Sequence, residues 1–380
     1  METVKGFRDI EASKRIAIRN IIEDIFKLYN FEPVETPIIE YEKFVKGENS
    51  GDEVISDIFK LKDKGKRKLA LRYEFTFQLK RLMKNKKLPY KRYQIGEVFR
   101  DEPITGNRWR QFTQCDVDIV GSDIKSEAEI LSITKEILNK LKVKFTININ
   151  NRKLLNEILD EQKVGKKEEV IKEIDKLDKL SEIEVRKNLK KFGAEKVLNI
   201  FKKPESYFKK YKFYSEIQEI KKYCKIYGVK VNFQPSLARG LAYYNGTVFE
   251  IKSNIKETIA AGGSYLVNGV QSTGIAFGLD RLELLAKIEE DRKKVLIISL
   301  NQDKKAVKLA EKIRKLEIPC SVMFGKPGKA LAYANSYKIP YVIFIGKEEV
   351  KKKKIKIRNM GSGKEKLVSE NGLGKILLKF

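Results

Sequence analysis

The sequence predicts an α+β protein: an antiparallel sheet flanked by helices, interrupted by a helical insert and followed by a small C-terminal α/β unit. Three observations carry that prediction. Residues 94–99 and 110–121 are two β-patterned segments joined by a charged loop. From about 152 to 225, apolar residues recur at helical spacing amid dense Lys and Glu. After residue 294, apolar runs alternate with helical periods. A chain of 380 residues is long enough for two or three domains and a sizeable core.

Ile18, Ile22, Ile25 and Tyr29 fall on one helical stripe that Ile21 and Phe26 widen, so residues 11–29 are an amphipathic helix. Residues 31–40 follow as a β-rich segment, with Pro37 confined to a strand end or an edge. Gly47, Asn49, Ser50, Gly51 and Asp52 mark a polar loop over 45–56. Strands are predicted at 58–61 and 69–72 around a basic turn, and helices at 75–84 and 127–141. A strand at 144–149 closes the first stretch. Val170, Ile171, Ile174 and Leu177 continue the helical spacing of the insert, and strands return at 229–233 and 247–251. Past a linker near 289–294, residues 295–300 form a continuous apolar run suited to a buried parallel strand. A helix at 304–316, a strand at 321–324, a helix at 329–337 and a strand at 341–345 complete the alternation. Lys351-Lys352-Lys353-Lys354 is placed in a hairpin.

Lys and Arg number 80 against 52 Asp and Glu, a net charge of +28, which favours polyanionic partners. A Lys- and Ile-heavy composition explains part of this excess. Residues 293–380, however, hold 22 basic and 7 acidic residues, so +15 lies in less than a quarter of the chain and points to a nucleic-acid contact there. No run approaches the roughly 18 apolar residues of a membrane span, and the N-terminus lacks an apolar signal region. Cys115, Cys224 and Cys320 lie too far apart for a metal or redox motif and read as small apolar residues in a reducing cytoplasm. There is no histidine. Ser–His and Cys–His mechanisms and His-ligated metals are therefore excluded, leaving Arg, carboxylates, Tyr and backbone dipoles.

Alternation in a strand puts Arg100 and Glu102 on one face, and Phe112, Gln114, Asp116 and Asp118 on one face. Such a surface is poor core material and suits a small-molecule site, although a solvated hairpin shows the same pattern. Two further stretches stand out: Arg239-Gly240-Leu241-Ala242-Tyr243-Tyr244 running on to Glu250, and Ala260-Ala261-Gly262-Gly263-Ser264-Tyr265 followed by Gly278-Leu279-Asp280-Arg281-Leu282.

Together these segments resemble the motifs of the histidyl-tRNA synthetases. Phe99-Arg100-x-Glu102 is similar to class II motif 2, Gly278–Leu282 to motif 3, and Arg-Gly-Leu-x-Tyr-Tyr to the signature peculiar to the histidine enzyme. Residues 32–40 around Pro37 resemble motif 1, and Lys5-Gly6-Phe7-Arg8-Asp9 the family's N-terminal Gly-x-x-Asp segment. The resemblance implies a class II catalytic domain over 1–150 and 226–288, a helical insertion domain over 151–225 and an anticodon-binding α/β domain over 293–380. It also implies a homodimer through motif 1. In the family the insertion contacts the tRNA acceptor arm; a solvated helical subdomain without RNA contact fits the residues equally well.

ATP, Mg2+, histidine and tRNA-His are the implied ligands. By resemblance Arg100 grips the α-phosphate and Arg239 faces it from the opposite side, both suited by a planar fork that stays charged. Phe112 offers a face to adenine, Arg281 stacks on the other and reaches the γ-phosphate, and Glu102 takes the adenine amino group or helps hold Mg2+. Leu71-Arg72-Tyr73-Glu74-Phe75-Thr76 resembles the family's Leu-Arg-Pro-Glu-x-Thr. Glu74, Thr76 and Gln114 then hold the α-amino group, Asp118, Tyr244 and Tyr265 the imidazole, with Tyr243 nearby. Arg108 and Arg110 are candidates for the tRNA acceptor end. The chain departs from the pattern at Ala242, where Asp is usual, at Ser264 and Leu266, where Arg and Asp are common, and at Tyr73, where Pro is usual. Regulatory subunits of ATP phosphoribosyltransferase share the resemblance, but typically lack the C-terminal domain and degrade the Arg-Gly-Leu-x-Tyr-Tyr signature.

Overall fold

The computed structural model describes residues 2–46, 56–178, 180–239, 243–288, 294–352, 354–369, 372–373 and 377. They divide into two compact units, Met1–Ile288 and Glu289–Phe380. Strands of the first unit are β1 (Glu32–Pro33), β2 (Ile39–Tyr41), β3 (Lys60–Lys62), β4 (Lys68–Leu71), β5 (Tyr90–Phe99), β6 (Gln111–Val120), β7 (Thr146–Asn151), β8 (Asn232–Phe233), β9 (Tyr244–Lys252), β10 (Ala260–Val267) and β11 (Val270–Gly278). Eight of them form one sheet in the order β1-β5-β6-β11-β10-β9-β7-β8. Its interior pairings are antiparallel and only the edges β1 and β8 pair in parallel. The predicted antiparallel sheet is thus present, with β2-β4-β3 as a small separate sheet.

Helix α1 (Ser13–Leu28) buries the predicted stripe Ile18, Ile22, Ile25 and Phe26, and Asn30 at φ 60 turns the chain out of it. The next helices are α2 (Glu42–Lys46) and α3 (Leu79–Leu82). The helix expected over 75–84 is cut to this single turn for a reason visible in its hydrogen bonds. The Phe75 carbonyl, which an α-helix would offer to Leu79, accepts from Arg92 at 3.0 Å instead. The Leu79 N–H turns to Thr76. Helix α4 (Ile124–Lys140) starts three residues before the predicted point, because Asp123 and Ser126 form a reciprocal cap. The expected loop at 45–56 begins later than predicted, since Val45 and Lys46 end α2; residues 47–55 lie outside the described residues.

Between residues 152 and 226 run α5 (Arg152–Glu161), α6 (Lys167–Asp175), α7 (Glu182–Lys190), α8 (Val197–Ile200) and α9 (Tyr214–Ile226). Their apolar residues, Leu154, Ile158, Val170, Ile174 and Ile217 among them, belong to the same core cluster as α1 and the sheet. Helix α10 (Leu279–Leu285) follows the last sheet strand directly. Strands β10 and β11 lie at the centre of the sheet although Ala260–Gly263 has a weak strand pattern. Close approach explains the glycines there: a Cβ on Gly262 would stand 2.0 Å from the Gly274 carbonyl oxygen.

In the second unit β12 (Val295–Ser299) lies between parallel partners β13 (Cys320–Phe324) and β14 (Tyr341–Ile345). Helices α11 (Asp303–Arg314) and α12 (Pro327–Ser336) cover opposite faces: Val295 and Ile297 cluster with α11, Leu296 and Ile298 with α12. Of the described residues of the lysine run, only Lys354 lies in a hairpin. Lys351 ends α13 (Lys347–Lys351), Lys354 opens β15 (Lys354–Asn359), and the hairpin is made by β15 with β16 (Glu365–Ser369); Lys353 lies outside the described residues. Cys115 and Cys224 are buried as expected, and Cys320 is partly exposed.

Glu127, in the first turn of α4, is 6% exposed and accepts a hydrogen bond from Ser264. Burial pushes its carboxyl up to about 7, opposed by its hydroxyl partners. A folded-state value above the unfolded one means the native state holds the proton more tightly. This group therefore costs stability increasingly as pH rises from about 4.5 to about 7, at up to ~1.4 kcal/mol per pH unit. Glu127→Gln keeps an acceptor and removes the titration. Urea unfolding at pH 5 and 7.5 is expected to show a pH slope reduced by up to one proton, and an unchanged slope would contradict the assignment.

Candidate active site

A cavity of about 590 Å³ opens on the face of the large sheet, over β6, β9, β10 and β11. The pleat supplies its floor: Phe112, Gln114, Asp116 and Asp118 alternate along β6 and all reach it. Gly274 lies opposite Asp118 across the β6–β11 pairing. A Cβ on Gly274 would come within 2.1 Å of the Asp118 carboxylate, so glycine leaves the room that Asp118 occupies. Every residue predicted for the site lines this cavity except Arg110. Arg110 is instead a brace: its N–H donates to Gly6 (3.0 Å) and its guanidinium pairs with Asp101 (3.1 Å).

Arg100 sits just past the end of β5 with its guanidinium carbon 4.2 Å from the Tyr73 ring centre and 5.1 Å from that of Phe112. It donates to Gln114 Oε1 at 3.1 Å. Tyr73 thus packs against the arginine where a proline would offer no such face. Glu102 pairs with Arg108 at 2.8 Å, and Arg281 donates to the Thr258 carbonyl. Arg100 and Arg108 lie close enough to Arg281 to disfavour its charge, which burial disfavours more. This part of the cavity is a nest of guanidiniums fit for a polyanion. Trp109 stands in the same wall, with Arg8 over its indole at 4.5 Å.

Another part is acidic. Glu74, Asp116 and Asp118 are all buried, and Arg92, fully buried, meets Asp118 at 2.8 Å. Asp118 also accepts from the Tyr265 hydroxyl. Burial pushes Asp116 up to about 8, with the neighbouring Asp118 charge adding to it. Glu74 is raised to about 7 by burial, with Arg100 opposing. Gln114 donates its amide to Asp116 (3.0 Å), which aims its carbonyl toward Arg100. Tyr243 donates to Glu74 (3.4 Å) and lies between the rings of Tyr244 and Tyr265, at 4.7 and 5.7 Å. Three buried carboxyls with one buried arginine among them make a place that a bound cation relieves.

Arg239 reaches the cavity from the loop after β8, and its NH1 lies 3.4 Å from Glu250 Oε1. Glu250 is 1% exposed and also accepts from Thr258 at 2.5 Å. Ala242 lies outside the described residues; Glu250 supplies a carboxylate for Arg239 regardless. Ser264 does not face the cavity: it is turned to Glu127, while Leu266 is half exposed.

Arg92, Glu250 and Asp280 were given no role from the sequence, and Asp116 only a place on the site face of its strand. Arg92 could have been found only by knowing the β5–β6 register, which sets it across from Asp118. Asp280 lies within the Gly278–Leu282 segment, and the structure makes it a hub. It takes Arg8 (3.0 Å), Arg15 (2.9 Å) and the Thr113 N–H (3.1 Å), locking α1, β6 and α10 around one carboxylate.

Comparison with known proteins gives a consistent picture. Residues 6–282 match the family described as histidyl-tRNA synthetase, and residues 294–379 match the anticodon binding domain. A histidine–tRNA ligase of Bacillus cereus is 34% identical over 423 aligned positions, covering 99% of both chains. A histidyl-tRNA synthetase of Nostoc sp. PCC 7120 has the same fold, with a TM-score of 0.86 at 24% identity over 100% of this chain and 99% of that one. So does a Bacillus halodurans protein described as an ATP phosphoribosyltransferase regulatory subunit/histidyl-tRNA synthetase. Its TM-score is 0.77 at 19% identity, over 90% of this chain and 98% of that one.

The Arg92–Asp118 pair carries a direct stability test. Arg92→Met strands a buried carboxylate, and denaturant unfolding is expected to report a loss of about 3–5 kcal/mol. Adding Asp118→Asn removes the stranded charge and should restore much of that loss. Additive losses in the double variant would mean that the two side chains do not depend on each other.

Proposed function

The chain belongs to the histidyl-tRNA synthetase family, and from that premise we propose how its cavity carries out histidine–tRNA ligation. The enzyme activates histidine with ATP to histidyl-adenylate and pyrophosphate, then transfers the histidyl group to the 3′ end of tRNA-His. The observation that best supports the residue-level reading is the division of charge within one cavity. Carboxyls surround the part suited to an amino acid's cations, and guanidiniums surround the part suited to a triphosphate.

In the first step a histidine carboxylate oxygen attacks the α-phosphorus of ATP, and the bond to pyrophosphate breaks. Negative charge builds on the phosphoryl oxygens, so fixed cations and orientation supply the catalysis. Arg100 and Arg239 take those oxygens, Arg239 steadied by Glu250. Arg281 is close to the leaving pyrophosphate, and Phe112 presents its ring to adenine. Glu74, Thr76 and the Gln114 carbonyl hold the α-ammonium. Asp118, Tyr244 and Tyr265 hold the imidazole, Tyr265 being fixed already by its bond to Asp118. Buried polar partners for both ring nitrogens reject side chains that cannot pair with them. The terminal ribose hydroxyl of the tRNA then attacks the acyl carbon, and AMP leaves.

Mg2+ fits this arrangement as an ion carried by the ATP oxygens, and Glu102, a carboxylate on the cavity wall, would be its side-chain ligand. When bound it would offset the charge of the phosphates. We read 1–150 and 226–288 as the catalytic domain, 151–225 as the insertion domain and 293–380, with its net +15, as the anticodon-binding domain. Arg108, 40% exposed in its side chain, faces the tRNA end better than Arg110. The homodimer is supported by exposed Ile38 and Ile39 in the motif 1 segment and by exposed Tyr41 next to it. No helix among the described residues is long and apolar enough to cross a membrane, consistent with a cytoplasmic enzyme.

ATP–pyrophosphate exchange across all twenty amino acids tests the reading. Exchange with histidine alone is expected, and Arg239→Ala should reduce it by about 10²- to 10³-fold. Histidine binding without exchange would instead favour a histidine-sensing regulator. The Glu74 assignment has its own pH signature. Below about 7 its carboxyl takes a proton and loses the charge facing the ammonium, so KM for histidine should rise as pH falls from 8 to 6. In Glu74→Gln the KM should start high and rise by less; parallel profiles would remove Glu74 from the site.

A further inference from the structure

Residues 234–239, which carry Arg239 into the cavity, form no strand, yet their carbonyls are held at regular intervals. The Gln234 N–H donates to the Ile149 carbonyl of β7 at 2.9 Å. From there side chains hold the loop. Asn150 Nδ2 donates to the carbonyls of Pro235 (2.9 Å) and Leu237 (2.8 Å), and Arg152 NH1 to the carbonyl of Arg239 (3.2 Å). The Leu237 N–H closes a turn onto the Gln234 carbonyl at 2.9 Å, and the carbonyls at 235, 237 and 239 are met by two side chains, one from the end of β7 and one from the start of α5. Asn150 is 1% exposed and Arg152 is 5% exposed, so neither is placed for solvent. The other arm of the Arg152 fork pairs with Glu168 of α6. The last residue of α6, Asp175, lines the cavity, where its charge acts on the Arg239 guanidinium.

We propose that Asn150 and Arg152 are positioning residues for Arg239: their side chains hold the backbone of the turn and loop that precede it and fix where Arg239 enters the cavity. The Arg152–Glu168 pair ties that setting to α6, so the helical segment and the phosphate-binding arginine move as one. This rests on the reading of Arg239 as a cation for the reacting phosphate. A displacement of about 1 Å in such a group can cost on the order of 10²-fold in rate without loss of ground-state binding, which gives the device a measurable signature.

The test uses the full chain in histidine-dependent ATP–pyrophosphate exchange, with melting temperature recorded for each variant. Arg152→Met, which keeps the stem and removes the fork, is expected to lower kcat by about 10- to 100-fold with KM for histidine within about threefold. Arg152→Lys retains one cationic donor and should recover part of kcat. Glu168→Gln leaves the Arg239 carbonyl bond intact and should lower kcat by only about two- to fivefold. If Arg152→Met fails to fold, Asn150→Leu and Glu168→Gln carry the comparison. A full kcat in the soluble variants would overturn the inference, as would losses of kcat that simply follow melting temperature. Arg239→Ala separates the two levels: if it keeps exchange, the reading of Arg239 fails and this inference with it. If it is inactive while Arg152→Met is fully active, only this inference fails.

Discussion

The buried pair of Arg92 and Asp118 is the constraint around which the rest of the first unit is arranged. Arg92 leaves β5 directly across from Asp118 on β6, and its guanidinium also takes the Phe75 carbonyl. That second bond stops the helix that Phe75 would otherwise join, leaving Glu74 and Thr76 free to face the cavity. Asp118 in turn takes the hydroxyl of Tyr265 from β10. One guanidinium thereby sets three walls. Desolvating two charges makes such a pair a poor source of net stability, but it penalises every arrangement in which either partner lacks the other. Its contribution is to specify one geometry.

The same economy of charge runs through the cavity. Carboxyls whose ionisation burial disfavours share the cavity with an arginine, Arg281, whose charge burial and neighbouring guanidiniums disfavour. Asp280 complements this from behind, joining Arg8, Arg15 and Thr113 so that the strand bearing Gln114 and Asp118 cannot slide against α1.

Much of this was legible in the sequence because its signals are local. The Ile18–Ile25 stripe, the apolar run at 295–299 and the strand–helix alternation that follows are periodicities that core burial alone enforces. The site residues of β6 were legible for the same reason, since period-two alternation puts Phe112, Gln114, Asp116 and Asp118 on one face. What was not legible depends on partners distant in sequence. The shortened helix at Leu79 follows from Arg92, Ser264 is accounted for by Glu127, and the role of Glu250 follows from the β9 register rather than from its neighbours. The lysine run was placed wholly in a hairpin, whereas Lys351 ends a helix and Lys354 opens the hairpin strand, because charge pattern alone does not mark where a helix stops.

Trp109 is the only tryptophan in the chain, and it stands in the cavity wall with one face under Arg8. All of the protein's indole fluorescence therefore originates at the wall of the candidate site. A cation stacked on a ring alters its emission, and a triphosphate drawing the nearby guanidiniums inward would alter it again. The molecule carries a built-in optical probe, so the order in which substrates bind can be followed in the native chain without adding a dye.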